Sequence, residues 1–166
     1  MNVEVVRSER RRKTVQARLI GDVLRVAIPA RMSRAEEHHW VAVMTEKFER
    51  RLASRPIDLT RRATRLAGLY NLPAPEAIRW VDNQQTRWAS CTPQDRTIRI
   101  SNRAAGFPGW VLDYLVIHEL AHLLEPGHGR AFQTLVDRYP RAERARGFLL
   151  AMGRDWNENV DPVVEA

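Results

Sequence analysis

The sequence has few of the features that mark secreted or membrane proteins. It has one cysteine, Cys91, among 166 residues, so no internal disulfide can form and a reducing compartment, the cytoplasm, is the expected location. The most apolar stretch, residues 110–124, contains ionisable side chains and is shorter than the roughly 20 residues that cross a bilayer. The first residues lack the charged, apolar and small segments of a secretion signal. We therefore expect neither membrane association nor a cleaved leader.

Lysine is also scarce, since Lys13 and Lys47 are the only two among 27 basic residues. The chain has 20 acidic residues and a net charge of +7, which is unevenly distributed. Residues 1–65 hold 16 basic and 8 acidic side chains, whereas residues 66–166 hold 11 and 12. The basic N-terminal part is consistent with an anionic partner such as nucleic acid, and equally with an arginine bias that has no functional cause.

The first part of the chain predicts a β-hairpin followed by a long helix. Two short apolar runs flank Gly21-Asp22, a pair that is typical of a hairpin turn. Ser33 stands three residues before Glu36, which is the spacing of a capping box. Apolar residues then recur at helical intervals and predict a helix of about 20 residues that ends before Pro56.

Three segments are predicted along the chain. A second helical pattern covers residues 59–70, and the Pro-Ala-Pro segment at residues 73–75 is the best candidate for a boundary. We predict a basic hairpin and helical subdomain over residues 1–72, a catalytic part over 73–153 and an acidic, solvated tail over 154–166, with one compact domain overall.

The second half mixes short strands with helices, which indicates an α+β fold. Turn residues separate three β-prone runs and predict a small antiparallel meander. Residues 110–124 have no polar face and predict a buried helix. The β-prone runs cover residues 78–81, 86–91 and 97–101, and further helices are predicted at about residues 129–138 and 141–152.

The most informative residues are His118, Glu119 and His122, with a third histidine at position 128. Positions i and i+4 share one face of a helix, so the first two imidazoles can face one metal ion. Glu119, rotated by about 100°, can reach a water without being a ligand, as a general base requires. Three nitrogen ligands and one open position are typical of catalytic Zn²⁺. The alternative, polar groups satisfied within the core, carries a larger desolvation cost.

The third ligand is either His128 or Glu125. If the helix continued, Glu125 would share the face of His118, seven residues earlier. Pro126 disfavours helical geometry at the residue before it, and Gly127 permits a sharp reversal. We favour His128, which the reversal would return to the metal, and interpret Glu125 as a turn residue or an outer partner.

Beyond this motif, the sequence resembles the YgjP-like zinc metallopeptidase domain, which is related to the SprT and WLM types. The resemblance rests on residues 116–124, on the Pro-Gly-His run at 126–128 and on Phe132. The Arg-Trp-Ala-Ser-Cys run at 87–91 is similar to the family's Arg-Trp-Gly-Ser-Cys, and residues 98–102 are similar to the family's following strand.

The resemblance covers about residues 5–138, with two departures. Ala89 replaces a glycine and Gly129 replaces a serine, and neither is a predicted ligand or base. The resemblance implies a zincin-like α+β fold, in which a small antiparallel or mixed sheet packs on an active-site helix. An N-terminal β-hairpin and helices precede this part in the chain. In such folds an edge strand pairs with the extended substrate, and residues 97–102 are the candidate strand.

The function that these features imply is zinc-dependent hydrolysis of peptide bonds in peptides or proteins. The three histidines would hold Zn²⁺, and Glu119 would take a proton from the attacking water and pass it to the leaving amine. Further substrate or transition-state residues are predicted to be Arg87, Trp88 and Asn102.

Two other classes stay open. One is a metal-dependent hydrolase of nucleotides or phosphoesters, although the sequence has no Gly-rich phosphate loop and no second carboxylate-rich metal site. The other is a nucleic-acid-associated protease or binding module that uses the basic residues Arg7, Arg10, Arg11, Arg12 and Lys13. Cys91 is a poor candidate for a nucleophile, because no independent histidine or aspartate is placed to activate it.

Overall fold

The computed structural model describes residues 2–84 and 86–153 and divides the chain into two compact units, Met1–Leu52 and Ala53–Ala166. The acidic tail predicted over 154–166 lies outside the described residues. Each unit has its own sheet and its own cluster of buried apolar side chains.

The first unit is built on a three-stranded sheet. Its elements are β1 (Asn2–Ser8), β2 (Gln16–Ile20), β3 (Val23–Pro29) and most of α1 (Arg34–Ser54). The predicted hairpin is confirmed: β2 and β3 are antiparallel and are joined at Gly21, whose φ of 58° suits a tight turn. The third strand was not predicted. β1 pairs directly with β3 in parallel, although β2 lies between them in the sequence. Such a distant pairing leaves no local pattern in the sequence.

The predicted capping box at the start of α1 is confirmed. The backbone N–H of Ser33 donates to the Glu36 carboxylate at 3.0 Å, and the backbone N–H of Glu36 donates to the Ser33 hydroxyl at 3.3 Å. The Ser33 hydroxyl also donates to the Glu36 carboxylate at 2.7 Å, and this bond, followed by the bond from the backbone N–H of Ser33, lowers the pKa of Glu36 below its ordinary value. The helix then packs Val41, Met44 and Phe48 against the buried side of the sheet.

The second unit contains the remaining helices and a second three-stranded sheet. Its elements are α2 (Leu59–Tyr70), β4 (Ala77–Val81), β5 (Ala89–Thr92), β6 (Thr97–Ser101), a 3₁₀ turn (Asn102–Gly106), α3 (Gly109–Ala121), α4 (Arg130–Val136) and α5 (Ala142–Met152). The predicted helices are all present, and the mixture of small mixed sheets and helices confirms the α+β fold.

The strand order of the second sheet differs from the predicted meander. The order is β4-β6-β5, with β6 antiparallel to β5 and parallel to β4. The prediction of an edge strand at residues 97–102 is therefore wrong, because β6 is the central strand and is paired on both sides. The physical reason is burial: Ile98 and Ile100 are fully buried, and the most buried strand takes the position that is covered on both edges.

The second helix belongs to the second unit. Ala63 and Leu66 of α2 are buried in the same cluster as Leu112 and Leu115 of α3. The structure therefore divides the chain before α2, whereas the sequence favoured a boundary after α2, at residues 73–75. The prolines at residues 73–75 indicate a turn in the sequence. The boundary between the two units instead lies before α2, because α2 buries its apolar face in the second unit.

The third helix is the centre of the second unit. It lies against α2, β5, β6, α4 and α5, and every residue from Tyr114 to Ala121 is buried, as the lack of a polar face predicted. Among the described residues, none of the helices is both long enough and apolar enough to cross a membrane.

Candidate metal centre

Two of the predicted ligands lie at the end of α3, where the helix tightens. His118 is in its last turn and His122 is the C-cap residue, with φ −65° and ψ −15°. Residues 123 and 124 continue with i→i−3 hydrogen bonds, so the helix ends at Ala121 rather than at the predicted 124. The turn that follows brings His128 back towards the helix just before α4 begins.

The three predicted histidines converge. The Nε2 atom of His128 lies 3.1 Å from Nε2 of His122 and 3.2 Å from Nε2 of His118, and the three ring nitrogens all lie within 4.8 Å of one another. Tetrahedral Zn²⁺ with Zn–N bonds of about 2.0–2.1 Å would separate its ligands by about 3.3 Å. The spacing of the three nitrogens therefore fits one metal ion.

The protonation of these rings also suits a cation. The Nδ1–H of His122 donates to the backbone carbonyl of Glu125 at 3.0 Å, an assignment that leaves a lone pair on Nε2. Burial, followed by the other two histidines, holds the pKa of His118 well below its usual range, so this ring is neutral. If Nε2 of His128 carried a proton, that proton could form a hydrogen bond to Nε2 of only one of the other two histidines. A metal ion can accept the lone pairs of all three Nε2 atoms.

Glu125 contributes through its backbone rather than its carboxylate. Its carbonyl orients His122, and among the described residues the group with metal-ligand spacing contains the three histidines without this carboxylate. The interpretation of Glu125 as an outer partner in a turn therefore agrees with the geometry.

Phe132 forms the floor beneath the imidazoles and was not singled out for this role. Its ring stacks on His122 with centroids 4.4 Å apart and meets the edges of His118 and His128 at 4.8 Å each. It is 1% exposed, so it restricts ring rotation and excludes water on that side. The available signal was its place among the residues that carry the family resemblance.

Glu119, the residue after His118, is also buried. Burial raises the pKa of its carboxyl to about 8, and the positive charge of Arg87 acts in the opposite direction. The nearby Cys91 thiol has its pKa raised to about 12, first by burial and then by the Glu119 charge. Cys91 is therefore protonated at neutral pH, which agrees with its rejection as a nucleophile.

The other predicted site residues have different environments. Arg87 is exposed and close enough to Glu119 to influence its charge. Trp88 is 6% exposed and packs edge-on against Phe107 with centroids 4.8 Å apart, which is a core role. Asn102 is buried after β6, where its side-chain amide donates to the Asp82 carboxylate.

Two solved structures share part of this fold. They are the metallopeptidase zymogens abylysin of Pyrococcus abyssi and jannalysin of Methanocaldococcus jannaschii, each 18% identical to this chain with a TM-score of 0.50. The matches cover 55% and 58% of this chain, and 91% and 97% of the abylysin and jannalysin chains. At this identity the likeness concerns the fold alone. None of the curated proteins compared with the chain matches it.

The sequence itself matches a known family. The YgjP-like, metallopeptidase domain matches residues 7–149, a range that includes strands β2 to β6, the three histidines, Glu119 and Arg87. The match confirms the resemblance drawn from the motifs and extends it through most of α5. Since it spans most of the chain, this protein is a metallopeptidase and belongs to the YgjP-like family of metallopeptidase domains.

Proposed function

We propose that the protein is a zinc-dependent metallopeptidase in which His118, His122 and His128 hold the ion and Glu119 is the general base. The observation that carries the proposal is the convergence of three Nε2 atoms, one of them on the residue that precedes the buried Glu119 in the chain. Zinc is favoured over harder cations because the donor set is entirely imidazole, whereas Mg²⁺ and Ca²⁺ prefer oxygen ligands. The bound ion supplies a Lewis acid that lowers the pKa of water and polarises the scissile carbonyl.

The residues of the chain supply the proton transfers. The Glu119 carboxylate accepts the proton that the attacking water loses, and then donates it to the leaving nitrogen as the C–N bond breaks. Its burial supports the first step, because a carboxylate that is poorly solvated is a better base than one in water. We assign Arg87 to the negative charge that develops on the carbonyl oxygen, since it is the cation that acts on Glu119.

The substrate class that we propose is a peptide or protein. The phosphoester alternative has less support, because within the described ranges the three histidines are the one group of three or more side chains with metal-ligand spacing. A second carboxylate-rich centre, which two-metal phosphoester chemistry uses, is not found among those residues.

We also propose a cytoplasmic location, which rests on the single cysteine and is tested by fractionating cells that express a tagged chain.

The test compares metal content in three proteins: wild type, His128→Ala and Glu125→Ala. We expect wild type and Glu125→Ala to hold about one zinc per chain, because Glu125 acts through its backbone carbonyl, which alanine retains. His128→Ala should lose most of its zinc, because a third nitrogen ligand is gone. Equal zinc loss in both variants would reverse the ligand assignment, and a metal-loaded wild type that cleaves no member of a peptide library would overturn the substrate class.

A further inference from the structure

A run of four consecutive cations lies in the loop between β1 and β2, in the first unit. The loop carries one acidic residue, Glu9, before the run. Together with two hydroxyl side chains, the cations line an open concavity of about 730 Å³. The lining residues are Ser8, Arg10, Arg11, Arg12, Lys13 and Thr14.

Most of this charge is not neutralised. In the part of the chain that the structure describes, Arg10, Arg12 and Lys13 form no ion pair. Other arginines of the same unit do: Arg7 pairs with Glu37, and Arg25 pairs with Glu4 at 2.8 Å. Three unpaired cations along four positions of one loop repel one another, and that repulsion is relieved when an anion binds.

The fourth cation holds the loop in shape. The Arg11 guanidinium donates to the Thr14 hydroxyl at 3.3 Å and to the Gln16 side-chain carbonyl at 2.6 Å. Its backbone N–H also donates to the carbonyl of Ser8 at 3.3 Å. These bonds join the two ends of the loop, so the concavity exists before any partner arrives and little ordering entropy is lost on binding.

We propose that this basic loop binds the phosphodiester backbone of nucleic acid, independently of the peptidase activity. Guanidinium groups match phosphate oxygens in pairs, and the hydroxyls of Ser8 and Thr14 add neutral donors. Among the residues that the structure describes, none that lines the concavity is aromatic, so bases are not stacked and the binding is independent of sequence. The described lining residues also include no large apolar side chain, which disfavours insertion into a lipid surface.

The experiment measures the binding of a fluorescent duplex DNA of about 20 base pairs and mixed sequence to the full-length protein, by anisotropy, across a range of salt. The test variant combines Arg10→Ala, Arg12→Ala and Lys13→Ala. A matched control removes three exposed cations outside the loop that have no ion pair among the described residues, by Arg18→Ala, Arg34→Ala and Arg61→Ala. Circular dichroism verifies that both variants are folded.

If the three cations contact three phosphates, the loop variant should lose those contacts. The slope of log affinity against log salt should then be less steep by about 3 in the loop variant than in wild type. At low salt the loop variant should bind at least about 10-fold more weakly than wild type, whereas the control should lose less than about 3-fold. Equal losses in the two variants would show that only net charge matters and would overturn the proposal. So would a wild type that does not bind DNA at about 50 mM salt, or one that binds vesicles rich in phosphatidylserine more tightly than DNA.

Discussion

Glu119 and His118 are neighbours in the chain but have different tasks, because a helix rotates successive side chains by about 100°. The histidine points towards the other two imidazoles, and the carboxylate lies beside Cys91 and within the influence of Arg87. Both side chains are about 95% buried, and burying a polar group costs free energy unless it interacts with a partner. At this scale the chemistry depends on which direction each side chain faces.

Glu119→Gln should retain zinc and lose turnover. Glutamine fills the same volume but cannot accept a proton, so kcat should fall by about 10²–10⁴-fold, the usual contribution of a general base. The measurement is peptide hydrolysis beside metal content, with Glu125→Gln as the control. Undiminished hydrolysis by a zinc-loaded Glu119→Gln protein would sink the mechanism.

Arg87→Ala should lower kcat by about 10²–10³-fold with little change in KM, because the proposed contact is with charge that develops only in the transition state. Arg79→Ala is the matched control, since Arg79 is an exposed arginine on β4. Steady-state kinetics on one peptide separates the two constants. If both variants lost activity equally, or if Arg87→Ala changed only KM, the assignment would have to be withdrawn.

Trp88 shows how a residue within a motif can have a structural role. It lies next to Arg87 in the sequence, but it is buried against Phe107, and the Arg103 guanidinium lies 4.1 Å from its ring centroid. The sequence places Trp88 near the site but does not say which way it points. That direction depends on packing with residues that are distant in the chain.

At the scale of elements, helices were predicted well because their signals are local. The start of α2 is an example: the Asp58 carboxylate accepts the backbone N–H of Arg61 at 2.9 Å, and Asn71 ends the helix with φ 51°. Both residues can be read in the sequence. The strand order β4-β6-β5 could not be, because it depends on which strand the rest of the unit buries.

Asp58→Ala should reduce the free energy of unfolding by about 1 kcal/mol, the usual value of an N-cap side chain. The helix that it caps buries Ala63 and Leu66 against α3, so the loss should be transmitted to the second unit. Denaturant unfolding at neutral pH measures the change, with the exposed neighbour Thr60→Ala as the control. A loss no larger than that of the control would contradict a capping role.

At the scale of the whole molecule, the chain has two units with separate cores, and the proposed metal centre lies entirely in the second. Its ligands come from the end of α3 and the turn before α4, so a bound ion connects two elements. Binding to the folded state alone must then stabilise that unit by mass action.

Free zinc at 100 times its dissociation constant should stabilise the folded protein by about 2.7 kcal/mol. For a chain of this size that is a rise in Tm of roughly 5–10 °C over the chelator-treated protein. Scanning calorimetry with and without zinc measures the shift, and His128→Ala should show little of it. A shift of the same size in His128→Ala would place the stabilising ion at another site.

The sequence by itself determined the helices, the first hairpin, the histidine motif and the family resemblance, because each depends on residues that are close together in the chain. Only the tertiary structure decided the parallel partner of β1, the central place of β6 and the division of the chain before α2. It also decided how Glu125 contributes, through a carbonyl that orients His122. These features depend on competition between distant segments for burial and for hydrogen bonds, and no local pattern records the outcome of that competition.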